Sequence, residues 1–251
     1  MILNSYNYWT SNRTVLLANE IWKIIRRLRR GRVLLVLLNH ELQAGSRQYK
    51  RLMKVAIGLK AHSGWAALVA LWSEGDDVEI LDRRRLELVK NSSAEWAKQP
   101  FHAAENLESK EAQKLVYEAI KAARAHSTRE LRTAVKRLQK AGHKVARGAV
   151  LMSEPMPDWT VEQILAVHFR MHKAEGVLFR EALAGAVTEC GLKLVKIREK
   201  ELLEKAELVL GESSESLSKR LAAIGRSVGP PWTKDQKDAT LAAMIALRSR
   251  K

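Results

Sequence analysis

Cysteine is almost missing from this sequence, since Cys190 is the only one among 251 residues. A single thiol excludes a disulfide framework within the chain and any zinc site built from several cysteines. Proteins without disulfides are typical of a reducing compartment, so we expect a cytoplasmic location. Long apolar runs are missing too, because the longest, "VLLVLL" at residues 33–38, is far shorter than a bilayer-spanning helix. We therefore expect no membrane span.

Acidic residues are few relative to basic ones. The chain has 44 lysines and arginines against 28 aspartates and glutamates, which gives a net charge of +16 and a pI near 10.1. Such an excess favours polyanionic partners, most often nucleic acid. The sequence also lacks the motifs of P-loop proteins, dinucleotide-binding turns, serine hydrolases and zinc fingers, so it points to none of these classes.

Residues 1–52 differ from the rest of the chain and hold half of the excess positive charge, +8. They begin with the aromatic-rich "NSYNYWTSNRT" and end directly before Met53, where a more regular pattern starts. Two interpretations stay open for this segment. It is either a basic arm that contacts phosphates, or translated sequence upstream of a natural start at Met53. Residues 53–251 form the predicted main domain.

From Met53 onward the pattern predicts the order β-β-β-α-β-α-β-α. Strands are expected over 55–59, 64–72 and 78–89, joined by turns that permit only antiparallel hairpins. The pattern then predicts a helix over 109–141, a strand over 145–152, a helix over 160–190 and a strand over 192–197. Because helices connect the first, fourth and fifth strands, these three strands are expected to be parallel. Thr233 is the expected N-cap of the last helix. The prediction is an α/β fold with a mixed five-stranded sheet flanked by helices.

Four segments carry a family resemblance: "AIGLKAHSGWAALVAL" (56–71), "GAVLMSEP" (148–155), "HKAEGVLFREALAGAVTECGLKLVKI" (172–197) and "KDQKDATLAAMIAL" (234–247). In this order they resemble the opening hairpin, the fourth strand, the central helix with its strand, and the closing helix of the ribonuclease H-like superfamily. The RuvC-type Holliday-junction resolvase branch is the most similar part of it. The resemblance covers residues 54–248 and is one of pattern.

The resemblance implies a metal-dependent nuclease site built from Glu154, Asp235 and Asp238. In such a site two Mg²⁺ or Mn²⁺ ions stabilise the attacking and leaving oxygens of a phosphodiester. Magnesium prefers carboxylate oxygens, and the i,i+3 spacing places both aspartates on one helix face. Glu154 ends the fourth strand, so it is expected at the carboxyl edge of the sheet, where open α/β sheets bind their ligands. The expected metal ligands are Glu154 and Asp238.

The aspartate that the family carries on its first strand is missing. Its counterpart is Ile57 or Gly58, and residues 53–73 contain no carboxylate at all. The nearest polar groups on this segment include Lys60 and His62. Lys60 is expected to take the place of the lost charge by pairing with Glu154 or Asp238, which would leave the fold without its usual nuclease chemistry. Alternatively, His62 is a ligand in a site with one metal.

Other polar residues are candidates for substrate binding. His168, His172 and Glu175 share one face of the second long helix, and this spacing suits either a transition metal or a polar face satisfied by hydrogen bonds. His102 precedes the first long helix and is a candidate for the same pocket. Arg83 and Arg84 on the third strand suit either phosphate contacts or a solvated strand end. The substrate-binding candidates are therefore His102, His172, Glu175, Arg83 and Arg84.

Three functional hypotheses follow. The first is a nucleic-acid-associated, degenerate nuclease that binds nucleic acid by structure rather than by sequence and does not cut it. The second is an active Mg²⁺-dependent endonuclease that uses Glu154, Asp235 and Asp238. The third is a small-ligand binder or an enzyme of other chemistry, with a pocket of histidines and Glu175. A homodimer is compatible with all three, and whether the protein is an enzyme is open at this point.

Overall fold

The computed structural model describes residues 54–74, 77–90 and 95–249. The predicted basic segment, residues 1–52, lies outside the described residues. Five strands form one sheet: β1 Lys54–His62, β2 Trp65–Glu74, β3 Asp77–Glu87, β4 Lys144–Met152 and β5 Lys193–Arg198. Each strand falls within a few residues of its predicted position.

The sheet has the strand order β3-β2-β1-β4-β5. β1 pairs antiparallel with β2, and β2 pairs antiparallel with β3. β1 and β4 are parallel, as are β4 and β5. This mixed sheet of an antiparallel three-stranded meander extended by two parallel strands is the ribonuclease H-like arrangement. The predicted fold class is therefore confirmed.

The first hairpin depends on a glycine. His62 pairs with Trp65, so only Ser63 and Gly64 connect β1 to β2. Gly64 has a φ of +79°, which side chains with a Cβ rarely adopt, and a Cβ there would also lie 2.9 Å from Lys98 Cγ. The glycine thus allows the tight turn that extends β1 as far as Lys60 and His62.

The helices lie between and after the strands. Their bounds are α1 Pro100–Ala104, α2 Ser109–Lys140, α3 Val161–Leu165, α4 His168–Glu189, α5 Leu202–Leu210, α6 Ser214–Val228 and α7 Lys234–Arg248, with short 3₁₀ turns at Glu95–Ala97 and Glu199–Glu201. The single helix predicted over 160–190 is wrong, because the chain is helical in two pieces. Val167 between them has extended backbone angles (φ −142°, ψ 113°) and precedes a new helix.

Side chains along β1 point alternately to the two faces of the sheet, and each face has its own hydrophobic core. Ile57 and Leu59 pack with residues of α1, α2 and α4 on one face. Ala56 packs on the other face with residues of α5, α6 and α7. Both groups are almost fully buried. Lys60 has the same parity as Ala56 and Gly58, so it projects to the α7 face.

Helix α7 approaches β1 unusually closely at Gly58. A Cβ on Gly58 would lie 1.8 Å from the carbonyl oxygen of Ala239, a clash with backbone that no side-chain movement relieves. Thr233 is the N-cap of α7, and its backbone N–H donates to Gln236 Oε1 at 3.0 Å. Trp232, just before it, packs against Gly225 of α6 and donates to the carbonyl of Leu221 at 2.9 Å. These contacts fix the start of α7 beside the end of β1.

Within the described ranges, no helix is both long enough and apolar enough to span a membrane.

Candidate functional site

The end of β1, the first turns of α7 and the turn after β5 meet at one edge of the sheet. Because β1, β4 and β5 are parallel, their carboxyl ends lie along this same edge. Lys60 and His62 come from β1, Asp235 and Asp238 from α7, and Glu199 from the 3₁₀ turn that follows β5. Four of these side chains, those of Lys60, Glu199, Asp235 and Asp238, are called the Lys60 cluster below.

Lys60 lies at the centre of this cluster. Its Nζ donates a hydrogen bond to Asp238 Oδ2 at 2.7 Å and lies 3.0 Å from Glu199 Oε1 and 3.3 Å from Asp235 Oδ1. The lysine side chain is 7% exposed, whereas the three carboxylates are between 13% and 32% exposed. One buried ammonium group therefore contacts three carboxylates that come from two different parts of the chain.

A second layer of basic side chains surrounds the carboxylates. Lys234 Nζ lies 2.6 Å from Asp238 Oδ2, and Arg180 of α4 lies 3.1 Å from Glu199 Oε2. His62 Nε2 lies 3.1 Å from Asp235 Oδ2, and its ring stacks on Trp65 with centroids 4.3 Å apart. Each carboxylate of the Lys60 cluster thus has a second partner besides Lys60.

Glu154 lies beside the Lys60 cluster rather than inside it. Its Oε1 is 2.5 Å from Lys200 Nζ, and its side chain is 45% exposed. It lines an open cleft together with Met152, Ser153, Arg180, Glu199, Lys200 and Lys234. Lys60 therefore pairs with Asp238, as the sequence suggested, but its glutamate partner is Glu199.

Sequence reasoning missed Glu199. The signal that could have found it is the one that selected Glu154, namely a carboxylate directly after a parallel strand. The segment "EKELLEKAELVL" (199–210) predicts a helix from its first residue, and this pattern gives no sign of a carboxylate at the end of a strand. In the structure it is in a 3₁₀ turn that directs it back over the end of β1.

The ion pairs determine the protonation of the cluster. Burial opposes the charge of Lys60, but hydrogen bonds to Asp238 and Glu199 and the charges of both carboxylates outweigh it and raise the pKa of Lys60 above its usual value. Burial likewise opposes the charge of Glu199, and its hydrogen bonds to Lys60 and Arg180 outweigh it and lower the pKa of Glu199. Lys60 and Glu199 are both charged at neutral pH.

The cleft and the Lys60 cluster balance their own charge. Four carboxylates are matched by four cationic side chains in ion pairs: Glu154, Glu199, Asp235 and Asp238 against Lys60, Arg180, Lys200 and Lys234. Two divalent ions would normally supply this positive charge in a two-metal nuclease site. Here Lys60 Nζ occupies the point on which three carboxylates converge, and its charge repels a cation. The residues present therefore do not fit a two-metal site.

The predicted histidine residues form a separate group. One ring nitrogen each from His102 of α1 and from His168 and His172 of α4 lies within 4.8 Å of the other two, and these three residues are called the histidine cluster. Glu175 lies beneath them and contacts His102. Helices α1 and α4 pack on the face of the sheet opposite to α7, and His62 is not a member of the histidine cluster.

The two predicted arginines of β3 are engaged in contacts within the protein. Arg83 donates to the backbone carbonyls at the end of α6 and the following loop, those of Val228, Gly229, Pro230 and Pro231. Arg84 forms a two-pronged ion pair with Asp82, with N–O distances of 3.0 and 2.6 Å. The Arg83 contacts attach β3 to the segment before α7, whereas the Arg84 pair lies within β3. A role of either arginine in phosphate binding stays a prediction.

Comparison with known proteins gives distant structural similarity only. No protein-family model matches the chain, and no curated protein matches it. Among solved structures, the RuvC structure of Thermus thermophilus is similar at 13% identity and a TM-score of 0.40, over 76% of this chain and 92% of that chain. A structure of T. thermophilus RuvC in complex with a Holliday junction substrate is similar at 11% identity and a TM-score of 0.41, over 76% of this chain and 91% of that chain.

Proposed function

We propose that this chain is a nucleic-acid-associated ribonuclease H-like protein that binds structured nucleic acid without two-metal cleavage of the phosphodiester. The observation that carries the proposal is the position of Lys60 Nζ, which lies within 3.3 Å of an oxygen of Glu199, Asp235 and Asp238. The fold retains the sheet edge at which this superfamily cleaves its substrate. An ammonium group occupies the centre of that edge.

The ammonium group removes the chemistry that two divalent ions supply. A metal-bound water loses a proton far more easily than free water, and this provides the nucleophile for phosphodiester hydrolysis. Lys60 carries one positive charge and has no coordination site for water or for a leaving oxygen. It can neutralise the carboxylates and donate hydrogen bonds, so the site is suited to holding a fixed shape and not to generating hydroxide.

The charge distribution supports a polyanionic partner. The chain carries a net charge of +16. At the cleft, the side chains of Lys200 and Lys234 are 64% and 78% exposed, although each is paired with a carboxylate. Exposed ion pairs contribute little to stability and exchange readily. Both lysines can therefore turn from Glu154 and Asp238 to phosphate groups at small cost.

Binding and cleavage are tested together on three substrates: a four-way DNA junction, duplex DNA and duplex RNA, each with Mg²⁺, Mn²⁺ or EDTA. The variants are Asp238→Asn and the double variant Lys200→Gln/Lys234→Gln, with Lys219→Gln on α6 as the control for loss of an exposed, paired lysine. Circular dichroism verifies the fold of each. We expect binding that weakens steeply with salt, no cleavage, and a salt slope reduced by about two in the double variant.

Each outcome separates the hypotheses. Cleavage in Mg²⁺ that Asp238→Asn abolishes would establish the active nuclease built on Glu154, Asp235 and Asp238, and overturn the proposal. Failure to bind any of the three substrates at low salt would also overturn it and favour a small-ligand function. Tighter binding of the junction than of either duplex would support recognition by structure.

A further inference from the structure

The histidine cluster brings together three imidazole groups from two elements. His102 lies in α1, and His168 and His172 lie one turn apart at the beginning of α4. The break between α3 and α4 makes His168 the first residue of α4. His168 and His172 are exposed and His102 is partly buried, so the group opens to solvent on one side.

The distances are close to those of a three-histidine metal site. One ring nitrogen from each histidine lies within 4.8 Å of the corresponding nitrogens of the other two, and the Nε2 atoms of His168 and His172 are 3.1 Å apart. A tetrahedral Zn²⁺ ion has Zn–N distances of about 2.0–2.1 Å, which places its nitrogen ligands roughly 3.3 Å apart. Small rotations of the two exposed rings would bring all three nitrogens to that spacing.

Glu175 orients the His102 ring for metal binding. Its Oε1 lies 2.8 Å from His102 Nδ1 and also accepts the backbone N–H of His102 at 3.3 Å. Glu175 is 3% exposed, so this carboxylate is fixed beneath the ring. The contact assigns the proton of a neutral His102 to Nδ1 and leaves the lone pair on Nε2. Among the described residues, His102 Nε2 is buried and has no hydrogen-bond partner.

We propose that His102, His168 and His172 bind a divalent transition-metal ion through their ring nitrogens, with Glu175 as the positioning residue for His102. Imidazole ligands select zinc and its neighbours in the first transition series over magnesium or calcium. A buried carboxylate on the second nitrogen of a ligand histidine is the usual support of such sites. Three ligands leave a fourth position open on the solvent side, which a water molecule would occupy. This site is independent of the Lys60 cluster and of the proposed function.

The test uses the tag-free full-length chain after removal of metals with a chelator. Co²⁺ is titrated first, because four-coordinate Co²⁺ absorbs visible light strongly, and Zn²⁺ is then titrated by competition. We expect one equivalent of Co²⁺ with a tetrahedral-type spectrum, displaced by Zn²⁺. The double variant His168→Ala/His172→Ala alters two exposed side chains and should fold normally while losing this equivalent.

Two further variants separate the positioning of the His102 ring by Glu175 from nonspecific effects of a substitution on metal binding. Glu175→Gln should weaken binding by about 10- to 100-fold and shift the Co²⁺ spectrum, since the His102 ring loses its fixed orientation. His143→Ala, which changes a histidine outside the cluster, should leave the affinity and the spectrum unchanged. An equimolar site that persists in the double variant, or the absence of any equimolar site in the wild-type chain, overturns the proposal. If Glu175→Gln fails to fold, the double variant still decides the result.

Discussion

Replacing Lys60 with methionine tests the central feature of the site. Lys60→Met keeps most of the apolar stem of the side chain and removes its charge. Removal of one partner from a buried ion pair typically costs about 3–5 kcal/mol, because the remaining charge is buried without compensation. Here the carboxylates are partly exposed and keep Lys234, Arg180 and His62 as second partners. We therefore expect a smaller loss, about 2–3 kcal/mol, in the free energy of unfolding at pH 7.

The loss of stability in Lys60→Met should depend on pH and on Mn²⁺, and these two dependences identify its cause. Below the pKa of an unfolded glutamate, about 4.5, the contribution of the Lys60–Glu199 pair is lost progressively, so the difference between variant and wild type should shrink. Mn²⁺ should stabilise the variant more than the wild type, since Glu199, Asp235 and Asp238 would then converge on a space that accepts a cation. At a metal concentration of 100 times the dissociation constant, such binding adds about 2.7 kcal/mol.

Urea unfolding followed by circular dichroism measures these differences. Lys54→Met is the matched control, because Lys54 is an exposed lysine on the same strand. Its free energy of unfolding should change by less than about 0.5 kcal/mol. Equal stability of Lys60→Met and Lys54→Met at pH 7 would refute the view that Lys60 holds the three carboxylates together. A Mn²⁺ response of the same size in both variants would refute its metal-excluding role.

Two further predictions concern neighbouring positions. Gly58→Ala should destabilise the protein by about 3 kcal/mol or more, because the new Cβ meets the Ala239 carbonyl. The control is Gly185→Ala on α4, where a new Cβ enters open space. In the same urea assay it should be neutral or stabilising by up to about 1 kcal/mol. Glu199→Gln should destabilise the protein fully above the pKa of an unfolded glutamate, about 4.5, and progressively less as the pH falls below it, since the folded pKa of Glu199 is lowered. Urea unfolding from pH 7 to pH 3 measures this, with Glu181→Gln, which removes an exposed pair with Lys196, as the control that should show little pH dependence. A constant difference for Glu199→Gln across that pH range would contradict the assigned cause of its pKa shift.

The fold was predictable because its signals are local. Apolar strands with short turns require the β1–β2–β3 meander, and Gly64 marks the first of those turns. The start of α7 is equally local, since the double proline and Thr233 define it. The break at Val167 was not predictable, because no proline or glycine interrupts the helical pattern there and no side chain caps the new helix.

The site was less predictable because it depends on burial and on contacts between distant segments. Asp235 and Asp238 follow from their spacing on one helix. The choice of Glu199 over Glu154 as a partner of Lys60 depends on the direction of a single turn after β5, which helical periodicity does not encode. The contact between His102 and Glu175 joins residues 73 positions apart and arises only when α1 packs on α4.

The contact between Gly58 and α7 limits which residues β1 can carry next to the carboxylates. Position 58 lies on the face of β1 that meets the carboxylates, yet the backbone of Ala239 fills the space that a side chain would need. Ile57 faces the opposite core. An aspartate at position 58 would require α7 to move away, and an aspartate at position 57 would be buried in the opposite core. Position 60 lies on the same face as Gly58, and its lysine is the β1 side chain that contacts all three carboxylates.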